Sequence, residues 1–223
     1  MGHGSNVAGI ETTATFDRAT QEFVINTPTI SAIKFWPGDM SRLSNHAVVF
    51  AKLMIDGKAY GVHSFMVQTR NLETWDLLPG IEAGDIGPKY GYGSKDNGYM
   101  LFRSIRIPRT NMLKRFAEVD KDGIFILKGD MRQLYGAMMD TRVLIAGYSG
   151  FSLAMALTIA GRYSVVRRQF STIEGTSLER KLLDYQTHMF KFAPLLAYSY
   201  AFNSASERMN CSSQGISSGK FRH

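Results

Sequence analysis

Ile33-Lys34-Phe35-Trp36-Pro37-Gly38-Asp39-Met40 is the stretch on which the reading of the chain turns. The run before it, Thr29-Ile30-Ser31-Ala32-Ile33, is β-branched and predicts a strand over 30–35, stopped by Pro37 and Gly38. Proline fixes φ and offers no N–H, while glycine lets a flat ligand come close to the backbone. Phe35 and Trp36 beside such a break have two readings. They form the wall of a slot for a planar ring system, or they plug a core at a barrel corner, the commoner fate of aromatics.

Working outward, residues 12–16 and 21–26 read as strands joined by the turn Asp17-Arg18-Ala19-Thr20. Further strand signals cover 47–55 and 60–68 around Asp56-Gly57, then 81–86 and 99–107, separated by Gly87, Pro88, Gly91, Gly93 and Gly98. Many short strands punctuated by turn residues predict a sandwich or closed barrel as a first domain, 1–116. Residues 117–129 read as a hairpin or linker. Asp120-Lys121-Asp122-Gly123 has the opening of a calcium loop but lacks its later acidic ligands and closing Glu, so a hairpin turn is expected.

From Met131 the period changes. Leu134, Met138, Leu144, Ile145, Tyr148, Phe151, Met155 and Ile159 recur at helical spacing to about Gln169. Forty such residues would span roughly 60 Å unless broken at Gly147 to Gly150. A second helix is expected over 178–202, with Leu182, Tyr185, Met189, Phe192 and Leu196 on one stripe and a kink at Pro194. Two long helices cannot bury both faces against each other, so a helical domain over 130–203 needs further helices or a partner chain. Residues 204–223 are Ser-rich and aperiodic, and read as a disordered, non-homologous tail.

With 223 residues, 44% of them hydrophobic and 20% charged, the chain can build a real core. The chain is read as having no apolar run of eighteen residues, so no membrane span is expected, and the N-terminus lacks the regions of a signal peptide. A single cysteine, Cys211, excludes an intrachain disulfide framework. The net charge of +7 raises the question of nucleic acid, but the basic residues are scattered and no zinc-finger or basic-zipper spacing occurs. No nucleic-acid partner is expected; a positive surface also suits a phosphate-rich small molecule. His46, His63 and His188 lack ligand spacing, so no metal is expected, and no G-x-S-x-G or triad pattern argues for nucleophilic catalysis.

Seven segments in fixed order carry a resemblance: ETTATFD (11–17), KFWPG (34–38), SNHAVVFAKL (44–53), DIGPKYGY (85–92), DNGY (96–99), RIPRTNML (106–113) and RYSVVRRQF (162–170). From Gly2 to about Phe202 the chain resembles the middle domain and following helices of peroxisomal acyl-CoA oxidases. The resemblance implies an α+β multidomain fold, an antiparallel β-barrel domain followed by long helices of an incomplete helical bundle. It implies FAD as cofactor, with the Gly38 backbone on the flavin and Trp36 and Pro37 on the same wall. It also implies that Arg167, Gln169 and Phe170 grip the adenine-side half of a flavin held by another subunit, hence a homodimer. The planar fork of Arg suits a pyrophosphate; the alternative for this set is an ordinary solvated helix end. Gly4 and Ser5, in the Gly-rich N-terminal loop, become substrate-side candidates.

The family's reaction desaturates acyl-CoA to 2-trans-enoyl-CoA in peroxisomal fatty-acid β-oxidation, and O2 becomes H2O2. It needs a carboxylate base, which in the family is a Glu of a later helix. Glu174 and Glu179 do not match that motif, so no catalytic residue is assigned and the chain alone is expected to be inactive. The alternative is a non-catalytic flavin-binding or dimerisation module. The final Lys220-Phe221-Arg222-His223 is not a peroxisomal C-terminal signal.

Overall fold

Hairpins specified by local turn chemistry seed the N-terminal half. In the computed structural model, which describes residues 2, 4, 6–130 and 136–217, β1 (Thr13–Asp17) pairs antiparallel with β2 (Glu22–Asn26), setting Phe16 opposite Phe23. The turn between them is held by Asp17 Oδ1, which accepts from the Ala19 N–H at 3.0 Å. β4 (His46–Ile55) and β5 (Lys58–Gln68) form the longest hairpin. Asp56 and Gly57 at its tip take φ of 50° and 78°, the left-handed pair that a tight hairpin turn requires.

β1 also lies parallel to β4, and β8 (Ile105–Pro108) adds to β2, giving a five-stranded sheet in the order β5-β4-β1-β2-β8. Alternating residues of these strands point into one core, in which Phe23, Ile25, Leu53, Phe65 and Val67 are fully buried. Phe23 stacks at 5.3 Å from Phe16 and 5.0 Å from Phe65. β3 (Lys34–Gly38), β6 (Ile81–Asp85) and β7 (Asn97–Phe102) form a second sheet, ordered β3-β7-β6.

The closed antiparallel barrel is therefore corrected. The described strands form two principal sheets, with one parallel pair, and no closed barrel occurs among the described residues. The expected strand over 99–107 is the place where they divide. Arg103 donates its N–H to Gly80 O at 2.8 Å, and Ser104, at φ 51°, donates to Asn26 Oδ1 at 3.2 Å. With those amides satisfied outside a ladder, the chain leaves one sheet and joins the other. Residues 117–127 fold as the hairpin β9 (Ala117–Val119) and β10 (Phe125–Leu127). Its turn is closed by Asp120 Oδ1, which accepts the N–H groups of Asp122 (2.9 Å) and Ile124 (2.7 Å). Ala117 and Val119 enter the core.

The chain divides into two compact units, Met1–Leu134 and Tyr135–His223. In the second, α1 (Gly136–Val166) runs unbroken through Gly147 and Gly150. The two glycines serve packing instead. A Cβ on Gly147 would lie 2.6 Å from Ser206 Oγ, and one on Gly150 2.6 Å from Asn203 Oδ1, both on α2 (Gln186–Ser217). α1 stops at Val166 rather than about Gln169, and the chain turns into β11 (Arg168–Thr172), paired with β12 (Glu179–Lys181). α2 starts at Gln186 rather than Leu178 and continues past Phe202 to Ser217, so part of the stretch read as a disordered tail is helix. Burial of Ser206 against α1 explains why aperiodicity misled: a small polar residue seats this helix there.

The expectation of no spanning run is also corrected. Asp140–Val166 is long and apolar enough to cross a membrane by length and composition only, with an eighteen-residue window of mean hydropathy 1.8, 11% of it buried. Ser149, Ser152 and Thr158 interrupt a strictly apolar reading without lowering the average much.

Candidate functional site

β3 passes through Pro37 instead of ending there. It is an edge strand of its sheet, where a missing N–H leaves no ladder bond broken. Its register with β7 runs Lys34↔Met100 and Phe35↔Tyr99, then Gly38↔Asn97, so Trp36 and Pro37 together stand opposite Gly98 alone. This is a bulge. Trp36 takes φ 93°, a true outlier for a bulky residue, and the buried Asn97 holds it by donating Nδ2–H to Trp36 O at 2.7 Å. The strand leading in is replaced by a turn over 29–33. Thr29 Oγ1 accepts from Ala32 N at 3.2 Å, and a hydroxyl-anchored turn overrides β-branched propensity.

The bulge throws both aromatics outward. Trp36 is 57% exposed and Phe35 41%, with ring centroids 6.3 Å apart. Within this unit neither ring plugs the core. A Cβ on Gly38, next in line, would lie 2.5 Å from Lys95 Cε, on the flexible side chain that would have to move aside for it. Lys95 Nζ is tied to Asp39 Oδ1 at 2.6 Å. The loop that follows is closed by Asp96, whose carboxylate accepts from the Ser41 hydroxyl and from the N–H groups of Arg42 (2.9 Å) and Leu43 (3.1 Å). Desolvation pushes the Asp96 pKa up, but these donors together outweigh it and hold the group below its ordinary value. Arg70, buried beneath, donates to the carbonyls of Ser41 and Trp75.

Arg167, Gln169 and Phe170 are brought together in the second unit, on a hairpin rather than on the helix end that was expected. The Arg167 N–H still donates to Tyr163 O of α1 at 2.8 Å, but its carbonyl accepts from Leu182 N at 2.9 Å and turns the chain away. The exposed guanidinium donates to Gln169 Oε1 at 2.8 Å. β11 and β12 are in register at Arg168↔Lys181 and Thr172↔Glu179 and irregular between. There Phe170 takes φ 54° and is 74% exposed. Its N–H donates to Glu179 Oε1 at 3.2 Å, and the Tyr185 hydroxyl donates to Gln169 O at 2.6 Å. Gly4 is exposed with open space around it, and Ser5 lies outside the described residues.

Sequence reasoning missed Asn97, Asp96 and Lys95 around the first cluster, and Glu179 and Tyr185 around the second. Asp96-Asn97-Gly98 was visible as a motif, but its place opposite Trp36 depends on a pairing some sixty residues apart. The histidines serve packing: His63, buried, meets Tyr60 O at 3.1 Å, and His188 joins the helices through Ser164 Oγ at 2.8 Å. No cluster of three metal-ligating side chains occurs among the described residues. The carboxylates with shifted pKa values, Asp17, Asp56, Glu82, Asp96 and Glu118, all move down, chiefly because Arg, Lys or Ser donors face them. A general base for carbon acids needs the opposite shift.

Comparison with known proteins gives the chain its relatives. The sequence signature described as "Acyl-CoA oxidase, C-alpha1 domain" matches residues 135–220, which takes in most of the stretch read as a non-homologous tail. Peroxisomal acyl-coenzyme A oxidase 1 of Bos taurus is 50% identical over 202 residues, covering 91% of this chain and 30% of its own length. The structure of acyl-CoA oxidase 1 from Arabidopsis thaliana superposes with a TM-score of 0.91 at 45% identity, covering 96% of this chain and 33% of that one. Acyl-CoA oxidase-2 of Caenorhabditis elegans, solved with FAD, ascaroside-CoA and ATP, gives 0.91 at 43% identity over 96% and 32%. The chain thus spans about a third of the length of the relatives it matches.

Proposed function

Because this chain belongs to the acyl-CoA oxidase family, we propose that it carries two parts of the FAD site of an oxidase. That enzyme desaturates acyl-CoA to 2-trans-enoyl-CoA in peroxisomal β-oxidation while O2 is reduced to H2O2. The observation that carries the reading is the bulge at Trp36-Pro37, where strain is held by Asn97 to present two bare aromatics beside a glycine. Such strain persists where it serves a ligand. The residues fit the cofactor. Trp36 and Pro37 offer a flat wall for a ring system, and Gly38 lets its backbone approach the ring edge. In the second unit, the Arg167 fork matches pyrophosphate oxygens and the bare ring of Phe170 matches adenine.

Bound FAD would supply the redox chemistry, as acceptor of a hydride and donor of electrons to O2. The role of this chain is to bind and orient. Trp36 and Pro37 fix the plane of the ring, and Arg167, oriented by Gln169, neutralises the pyrophosphate. Gly4 and Ser5 are proposed on the acyl-CoA side. No carboxylate here is proposed as the base, since those with shifted pKa values are all held ionised by donors. The second reading for the chain by itself is a flavin-binding or dimerisation module without turnover. A homodimer in which the Arg167 set of one copy serves the flavin of another is supported by the exposed apolar residues of α1, among them Ile145, Tyr148, Phe151 and Ile159.

Titration of the purified chain with FAD, followed by flavin fluorescence, tests this reading. Saturable binding, weakened at least tenfold by Arg167→Ala and abolished by Gly38→Val, is expected. An absence of binding by a folded chain would sink it.

A further inference from the structure

The hairpin after α1 presents Phe170 in a conformation that a phenylalanine does not choose by itself. At φ 54° its Cβ is crowded by its own backbone, and with 74% of the residue exposed, core packing does not compensate. Three contacts hold the turn in place. Glu179 Oε1 accepts the Phe170 N–H (3.2 Å), the Tyr185 hydroxyl donates to Gln169 O (2.6 Å), and the Arg168 guanidinium donates to Glu179 O (2.8 Å). The same turn sets Gln169 Oε1 where it receives Arg167 at 2.8 Å. An exposed ring and an exposed guanidinium three residues apart lie on a turn that a carboxylate and a phenol hold through its backbone.

We propose that Glu179 and Tyr185 are positioning residues: they hold the β11 bulge so that Phe170 and Arg167 meet the adenine and pyrophosphate of FAD. This rests on the reading of Arg167, Gln169 and Phe170 as the adenine-side grip. Neither residue touches the cofactor. Their effect is to keep the grip in the binding conformation, so its loss lowers affinity by the fraction of time the turn is misplaced. Glu179 supplies one acceptor and Tyr185 one donor, so each deletion is expected to weaken FAD about two- to tenfold, the range of one net hydrogen bond. Glu179→Gln keeps an acceptor at the same reach and is expected to bind as the parent does.

The test uses the full chain and two readouts. Exchange of the Phe170 amide proton in nitrogen-15 spectra reports the turn directly, and fluorescence titration with FAD reports the grip. Expected are faster exchange at Phe170 and weaker FAD binding in Glu179→Ala, normal values in Glu179→Gln, weaker binding in Tyr185→Phe, and an unchanged helical melting curve in all three. If Glu179→Ala and Tyr185→Phe bind FAD as tightly as a parent that does bind, the positioning role is wrong while the grip stands. If Glu179→Gln loses affinity as far as Glu179→Ala, charge rather than the hydrogen bond matters and the proposal is overturned. A folded parent that does not bind FAD overturns the grip and, with it, the positioning role.

Discussion

The two units bury their residues in opposite ways. Met1–Leu134 gathers one continuous cluster, from Ala14 and Phe16 to Val119, around Phe23, whose ring packs against those of Phe16 and Phe65. In the second unit Leu157 is the one hydrophobic side chain under a tenth exposed among the described residues, and the other buried ones are Ser164, Ser199 and Ser206. Helices seated on glycine and serine approach closely but remove little apolar area from water. The first unit carries its own hydrophobic stability. The second leaves Tyr148, Phe151, Ile159 and Phe190 facing outward, so its two helices by themselves bury little apolar surface.

The sharpest way to break this comparison is to delete one side chain in each unit. Phe23→Ala empties a fully buried, ring-packed site and is expected to cost about 3–5 kcal/mol in urea unfolding of the chain. Ile159→Ala, at a position 70% exposed, is expected to change stability by less than about 0.5 kcal/mol. Equal costs would refute the contrast. Intermediate in size is the helix contact. Gly150→Val forces a branched side chain where even a Cβ meets Asn203 at 2.6 Å, and should cost about 1–3 kcal/mol, read as loss of helical signal at lower temperature while the β unit is spared.

The smallest effect is on pH dependence. Burial pushes the His63 pKa below its ordinary value, outweighing the carbonyl of Tyr60, which favours the charged form. The unfolded chain then binds more protons just below about pH 6.5, so stability is full above that value and falls as the pH drops towards the folded pKa. The lowered carboxylates, Asp17 with Arg106 and Asp56 with Arg18 among them, lose their contribution only at lower pH, below about 4. His63→Gln should flatten the first window and leave the second. A melting-temperature profile from pH 7 to 3 that keeps its upper step in His63→Gln would contradict this.

How far the sequence could be read follows the same division. Strand segments with strict alternation, such as Glu22–Asn26 and His46–Ile55, were legible because one face is more deeply buried than the other. The turn at Asp56-Gly57 was legible for its backbone chemistry. The sheet closure was not, because it depends on where Arg103 and Ser104 send their amides, a tertiary choice. Thr29 to Ile33 failed because a side-chain hydroxyl offered the backbone a nearer partner than any strand. α2 ran past Phe202 because packing on α1 needed small residues there, which carry no periodic signal. In the candidate site, Gly38 and Arg167 were named by resemblance and Trp36 stood between two readings. What decided its exposure was a two-against-one register with β7 that no local pattern reveals.

The central claim is that each aromatic display, at Trp36 to Gly38 in the first unit and at Arg167 to Phe170 in the second, is by itself a face for FAD. Calorimetry of the chain with and without FAD tests it most directly. A ligand that binds the folded state alone raises the melting temperature once its concentration exceeds its dissociation constant. The account predicts a rise of several degrees at a hundredfold excess, about 2.7 kcal/mol of linkage, absent in Gly38→Val and reduced in Arg167→Ala. A cooperative melt that FAD leaves unmoved would contradict it.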